Sequence, residues 1–125
     1  MQLESTEAAP VVDVRGLLER CLGNLDLAER VLARFEERFD EDLSQLEEAV
    51  RAENAEAVAR IAHRLKGASA NTGARRLAQR AAGIEELARR RVLPDIASQM
   101  EAIRNEFDCF AARRDVVLAH LQDNP

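Results

Sequence analysis

The chain has 125 residues, a length that fits one domain, and 22 Ala, 17 Arg, 15 Leu, 15 Glu and 1 Lys account for 70 of them. A share above about half of such strong helix formers signals long amphipathic helices, while 15 Val, Ile and Thr in total and no Tyr or Trp exclude a sheet-rich fold. The net charge of −5 argues against general nucleic-acid binding, no run reaches the roughly 20 apolar residues of a membrane span, and the two cysteines and two histidines have no metal-type spacing.

Residues 1–10 read as a flexible tail, and residues 11–125 as one helical domain. The tail carries Glu4 and Glu7, no basic cluster and no apolar stretch of a signal peptide. The cytoplasm is therefore the expected compartment. A short helix is predicted from Asp13 to Leu22, with Val14, Leu17, Leu18 and Leu22 on its apolar side, ending at Gly23-Asn24. Asp26, with Glu29 three residues on, matches a capping box. From there Leu32, Phe35, Phe39, Leu43, Leu46 and Val50 recur at helical spacing, which predicts a long helix to about Arg51.

Asn54 is placed to cap a third helix from about Ala55 to Ala70, and Asn71-Thr72-Gly73 then forms a turn with Thr72 as the next N-cap. Ala74 to Arg91 follows, with Leu77, Ala81, Ile84 and Leu87 or Ala88 on one stripe and Gly83 read as a packing residue. Pro94 suits the first turn of a last helix, which carries Ile96, Met100, Ile103, Phe107, Phe110, Val117 and Leu121. Cys21 and Cys109 each sit in an amphipathic stretch and read as buried thiols. Four long helices joined by short turns predict an all-α fold: an antiparallel up-down-up-down four-helix bundle with a short extra N-terminal helix.

Charge is unevenly spread along these helices. Residues 1–54 carry a net −8, residues 55–92 a net +6 and residues 93–125 a net −3. A basic centre in an acidic chain marks a localised surface for an anion or an acidic partner.

That basic centre contains one histidine with an unusual setting. At 100° per residue, Val58, Ile61, Ala62, Leu65 and Ser69 share the core face of the third helix, while His63 lies about 140° and Gly67 about 180° from Val58. Ala59 and Ala70 flank His63 on the same open side, so a partner can approach the imidazole closely. Glycine inside a helix costs roughly 1 kcal/mol relative to alanine, and steric clearance beside His63 would offset that cost. Lys66 is the sole lysine among 17 arginines and lies one turn from His63, where a compact ammonium suits an anionic group held on the ring. Neutral imidazole is a competent nucleophile. The alternative reading of the same residues is a solvated surface histidine beside a tolerated glycine.

The run Ala62-His63-Arg64-Leu65-Lys66-Gly67-Ala68-Ser69, followed by Gly73-Ala74, resembles the signature of histidine-containing phosphotransfer (HPt) domains. The resemblance covers most of the chain. It implies a phosphorelay intermediate in which an exposed histidine accepts a phosphoryl group from an aspartyl phosphate on a receiver domain and passes it to another receiver. Carried over, His63 is the phosphorylated residue, through Nε2, and Lys66 stabilises the phosphoryl oxygens. Gly67 provides clearance for the receiver, and Ala59, Arg64, Ala70 and Arg76, on the open and basic surface around it, are expected to be receiver-docking residues with it. Glu85 matches a position that in some members accepts a hydrogen bond from the other ring nitrogen.

The partners implied are receiver domains of response regulators or of a hybrid histidine kinase, with the domain acting as a monomer. Mg²⁺ is expected on the receiver, with no cofactor or metal of the chain's own. No nucleotide motif is present, so no kinase or ATPase activity is expected. His120 reads as a helix-end histidine. The competing function is a non-catalytic helical adaptor that docks an acidic partner. An RNA-binding hairpin is disfavoured by the missing stacking aromatics.

Overall fold

Helix boundaries follow from caps. The computed structural model describes residues 13–123, so the tail expected at 1–10 lies outside the described residues. Helix α1 (Val14–Arg20) starts where the Asp13 side chain accepts a hydrogen bond from the Gly16 N–H. It ends before Leu22, which takes a left-handed φ of 57°. The expectation that Leu22 shares the apolar side is therefore wrong: it is 92% exposed, while Leu17 is buried.

Helix α2 (Leu25–Arg51) is capped by Asn24, whose side chain accepts from the Leu27 N–H at 3.0 Å. Asp26, expected as the cap, lies inside the first turn and pairs with Arg30 at 3.4 Å. Asn24 takes precedence because it sits where the backbone is still extended. Helix α3 (Ala55–Thr72) is capped by Asn54 as predicted.

At its other end α3 runs through Thr72, whose hydroxyl donates back to the Ala68 carbonyl at 2.9 Å and so does not cap the next helix. Gly73 stops α3 at φ 88°. The Ala74 N–H reaches the Ser69 carbonyl and the Gly73 N–H the Ala70 carbonyl, the two bonds of a Schellman motif. Helix α4 (Arg75–Arg89) follows with no side-chain cap, and stops two residues earlier than expected because Arg91 turns left-handed at φ 58°. Leu93–Asp95 forms one 3₁₀ turn containing Pro94, and α5 (Ile96–Asp123) completes the described chain. The side chains of Val117, His120 and Leu121 lie outside the described residues.

Helix α3 packs on both α2 and α4, α4 packs on α5, and α2 closes the ring against α5, with α1 against α2. This is the all-α bundle with a short N-terminal helix that the pattern predicts. The stripe positions fill the centre: Leu32, Phe39, Leu43 and Leu46 of α2, Val58 and Leu65 of α3, Leu77 and Ile84 of α4, and Ile96, Ile103 and Phe110 of α5 are all buried. The chain's four phenylalanines form one cluster between α2 and α5, with Phe39 stacked on Phe107 at 4.7 Å and Phe35 edge-on to Phe110 at 5.3 Å. The α2–α5 half thus holds the bulky aromatics, and the α3–α4 half packs on smaller residues.

Cys21 is buried and Cys109 partly so. Gly83 is not the packing residue the sequence suggested: a Cβ there would meet nothing within 4 Å, and nothing in the structure explains the glycine.

Gly67 and Gly73 make a paired stability test. A Cβ on Gly73 would lie 3.2 Å from the Asp13 carbonyl oxygen on a left-handed backbone, so Gly73→Ala should lose about 1–2 kcal/mol. A Cβ on Gly67 meets nothing within 4 Å, so Gly67→Ala should gain up to about 1 kcal/mol. Chemical denaturation of both variants checks the opposite signs.

Candidate functional site

The turn at Gly73 folds α4 back along α3, and this brings residue 85 opposite residue 63. His63 stands on the outer side of α3 with 63% of its side chain exposed. The Glu85 side chain is only 7% exposed, sunk between the two helices. His63 Nδ1 lies 3.0 Å from Glu85 Oε2. Lys66 Nζ lies 3.0 Å from the other carboxylate oxygen, Oε1. Arg89, one turn beyond Glu85 on α4, donates through Nη2 at 2.6 Å and Nε at 3.1 Å to Oε2. One buried carboxylate therefore holds an imidazole, an ammonium and a guanidinium together.

The balance of forces at Glu85 decides the state of the ring. Burial by itself pushes the carboxyl up, but the contacts with Arg89, Lys66 and His63 outweigh it and hold the carboxyl down, from its ordinary 4.5 to about 2. Glu85 is therefore ionised at neutral pH and can only accept hydrogen bonds. The proton in the His63–Glu85 contact must sit on Nδ1, which leaves Nε2 on the solvent side as the nitrogen with a lone pair in the neutral ring. The ring is thus oriented and its tautomer chosen by one contact.

The other sequence-predicted site residues distribute unevenly. Gly67 and Ala70 are exposed beside His63 on α3, and they leave the approach to the ring clear. Arg64 is half exposed but tied to α2: its Nη2 donates to Asp42 Oδ1 at 3.0 Å and to Gln45 Oε1 at 3.2 Å. Arg76 turns away to α5, where Nε lies 2.9 Å from the buried Glu106. Ala59, expected on the open side, is only 9% exposed. Its position on the wheel faces α4, and with Ala55 and Ala88 it helps line a groove of about 480 Å³ that ends at His63. The structure thus joins His63, Lys66, Glu85, Gly67 and Ala70 and leaves Arg76 outside the cluster.

Arg89 was missed as a site residue, although its spacing of four from Glu85 is the helix ion-pair spacing. Its place in the last turn of α4, where any cation suits the helix dipole, gives no sign of a further role. Asp42, the buried anchor of Arg64, was missed as well, because an acid in a charged stretch of α2 gives no sign of burial.

Comparison with known proteins now places this bundle. The model of the Hpt domain matches residues 30–113. The chain belongs to the Hpt domain family. A crystal structure of histidine-containing phosphotransfer protein B (HptB) from Pseudomonas aeruginosa PAO1 is similar, with a TM-score of 0.78 and 29% identity over 94% of this chain and 98% of that one. A comparison with curated proteins found no match. This Hpt domain is a histidine phosphotransfer carrier of phosphorelay signalling, the class whose partners are receiver domains and kinases. Among the described residues no helix is long and apolar enough to cross a membrane, and no group of three or more His, Cys, Asp and Glu side chains is placed to hold a metal ion.

The depressed Glu85 carboxyl has a measurable consequence for stability. A group whose folded value lies below its unfolded one contributes stability that is complete above the unfolded value and is lost as pH falls through the folded value. For Glu85 the window runs from about 4.5 down to about 2. At about 1.4 kcal/mol per unit, the contribution is on the order of 3 kcal/mol. Glu85→Gln should flatten the loss of stability across this window, which acid titration followed by circular dichroism would report.

Proposed function

We propose that His63 is the residue that carries the phosphoryl group, accepting it from the aspartyl phosphate of one receiver domain and giving it to the aspartate of another. The observation that carries the proposal is the contact between His63 Nδ1 and the ionised Glu85, which leaves Nε2 as the nucleophile. A second observation supports it: of the chain's two histidines, only His63 falls within the residues that the Hpt family model matches.

In this reading the Nε2 lone pair attacks phosphorus in line. The Nε2–P bond forms as the bond from phosphorus to the aspartyl oxygen breaks, and the aspartate leaves as a carboxylate. The Nδ1 proton stays in its hydrogen bond, so Glu85 balances the positive charge the ring acquires. Transfer to the next receiver is the reverse reaction with a different aspartate. Lys66 exchanges Glu85 Oε1 for a phosphoryl oxygen, a short swing for a side chain already about 39% exposed, and neutralises the charge that builds on the equatorial oxygens. Mg²⁺ and the remaining charge come from the receiver, and the domain has no cofactor of its own.

Gly67 and Ala70 form the surface over which the receiver descends, and Arg64, held by Asp42, offers a pre-oriented guanidinium at its edge. Ala59 contributes the floor of the groove beside the ring. Arg76, paired with Glu106 and 33% exposed, stays assigned to the outer edge of the docking surface. The domain works as a monomer: among the described residues, only Leu22 and Val116 are exposed large apolar side chains. The cytoplasm, where receiver domains act, is its compartment.

The decisive experiment is transfer from phosphorylated receivers to the chain and to His63→Gln. The variant should fold, since residue 63 lies off the core, and should acquire no acid-labile, base-stable phosphate. Labelling that persists in His63→Gln overturns the assignment. Binding of a receiver without any phosphate transfer to the unaltered chain would favour the adaptor reading.

Gly67→Gln separates clearance from packing. Open space around residue 67 means the larger side chain should leave the melting temperature unchanged or raised. It stands, however, between the ring and the receiver, and a misplacement near 1 Å costs on the order of 100-fold in rate. Thermal unfolding and transfer rate measured on the same protein test this: an unfolded variant, or one that transfers at the unaltered rate, removes the clearance role.

A further inference from the structure

We propose that Arg89 is a positioning residue for the phosphate-accepting ring: by clamping Glu85 Oε2 it lets that carboxylate orient His63 without holding a second proton on the imidazole. The inference rests on the reading of His63 as the accepting group and adds to it a residue that touches neither the ring nor the phosphate.

The difficulty that Arg89 resolves is electrostatic. A buried carboxylate within hydrogen-bond distance of an imidazole favours the doubly protonated, cationic ring, and that form has no lone pair on Nε2 and cannot attack. The same carboxylate is needed to hold Nδ1–H and aim the ring. The two demands conflict unless the negative charge is already shared. Arg89 donates twice to Oε2, at 2.6 and 3.1 Å, and this is the very oxygen that faces Nδ1. The hydrogen bond to the ring survives, while the field that would retain the extra proton is reduced.

Lys66 alone does not meet the demand. It lies on Oε1, and the proposed reaction calls it away to the phosphoryl group. Arg89 is anchored one helical turn from Glu85 on α4, so it stays in place when Lys66 leaves, and the buried carboxylate is never left uncompensated.

The remaining charges around the ring do not substitute for it. On α3, Arg60 lines the same groove, as does Glu56, which pairs with Arg91 of the α4 side at 3.8 Å. Toward α2, Arg64 is neutralised by Asp42 at 3.0 Å. None of these contacts Glu85 among the described bonds. Arg89 is 60% exposed in the last turn of α4, so its replacement leaves the core intact.

The test is nitrogen-15 NMR of the imidazole across pH, on the full chain with no partner present. The His63 signal is identified by its loss in His63→Gln. Arg89→Gln should move the His63 titration midpoint to higher pH than in the unaltered chain, by about half to one pH unit, with the proton still on Nδ1. Arg89→Lys should restore most of the difference. In a Glu85→Gln background, adding Arg89→Gln should move the midpoint by less than about a third as much, because the effect travels through the carboxylate.

A midpoint that stays put or falls in Arg89→Gln overturns the proposal, and so does an equal shift with and without Glu85. The acid limb of the transfer rate should follow the midpoint upward, with the rate recovering above it. A rate loss that is the same at every pH would make Arg89 merely structural. If the NMR shifts appear but the unaltered chain takes no phosphate from any receiver, the proposed function fails on its own account and the coupling of Arg89 to the ring stands.

Discussion

A single buried carboxylate organises this domain's outer face. Glu85 sits between α3 and α4, where an ionised acid is tolerated only with compensation. It is compensated three times, by Arg89 on its own helix and by His63 and Lys66 across the interface. Its two oxygens divide the work: Oε2 serves the ring and the guanidinium, Oε1 the ammonium. The orientation of the imidazole, the resting place of the lysine and the tie between the two helices all depend on this one group.

That arrangement requires a fixed register between α3 and α4, and the register is set at the turn. Gly73 adopts a left-handed conformation that closes the two bonds of the Schellman motif. The carbonyl of Gly73 also accepts a hydrogen bond from the Asp13 N–H at 2.9 Å, which pins the start of α1 to the same turn. A slip of one residue in α4 would carry residue 85 about 100° around its helix and away from His63. The small residues Ala55, Ala59 and Ala88 line the groove beside the ring, while the aromatic cluster between α2 and α5 gives the bundle its bulk on the other pair of helices.

The economy of the site matches the chemistry it serves. Phosphoryl transfer needs positioning and charge neutralisation more than covalent machinery. Under the proposed function, this Hpt domain meets a receiver with an oriented nucleophile, a mobile cation and open space at Gly67. Fixed arginines do the holding: Arg89 on Glu85 and Arg64 on Asp42. The single lysine stands where, in the proposed transfer, a charge moves. A guanidinium in a forked contact is well suited to the first task and an ammonium on a flexible stem to the second.

By itself the sequence determined the helical class, the order of the helices and the exposure of His63, because these follow from composition and from a period of 3.6 residues along one chain. Asn54 and Gly73 were legible as punctuation for the same reason: a cap or a left-handed turn is decided within a few residues. Asn24 in place of Asp26 and the back-bonded Thr72 were not, since two neighbouring polar residues compete for the same cap and local geometry picks between them. The burial of Glu85, the ties of Arg64 to Asp42 and of Arg76 to Glu106, and the covering of Ala59 were decided only by the tertiary structure. Each depends on which side chain a neighbouring helix presents at that height. A periodicity argument places residues on the faces of one helix, but the partner of a buried charge comes from another, about 20 residues or more away, once the turn between them has set the register.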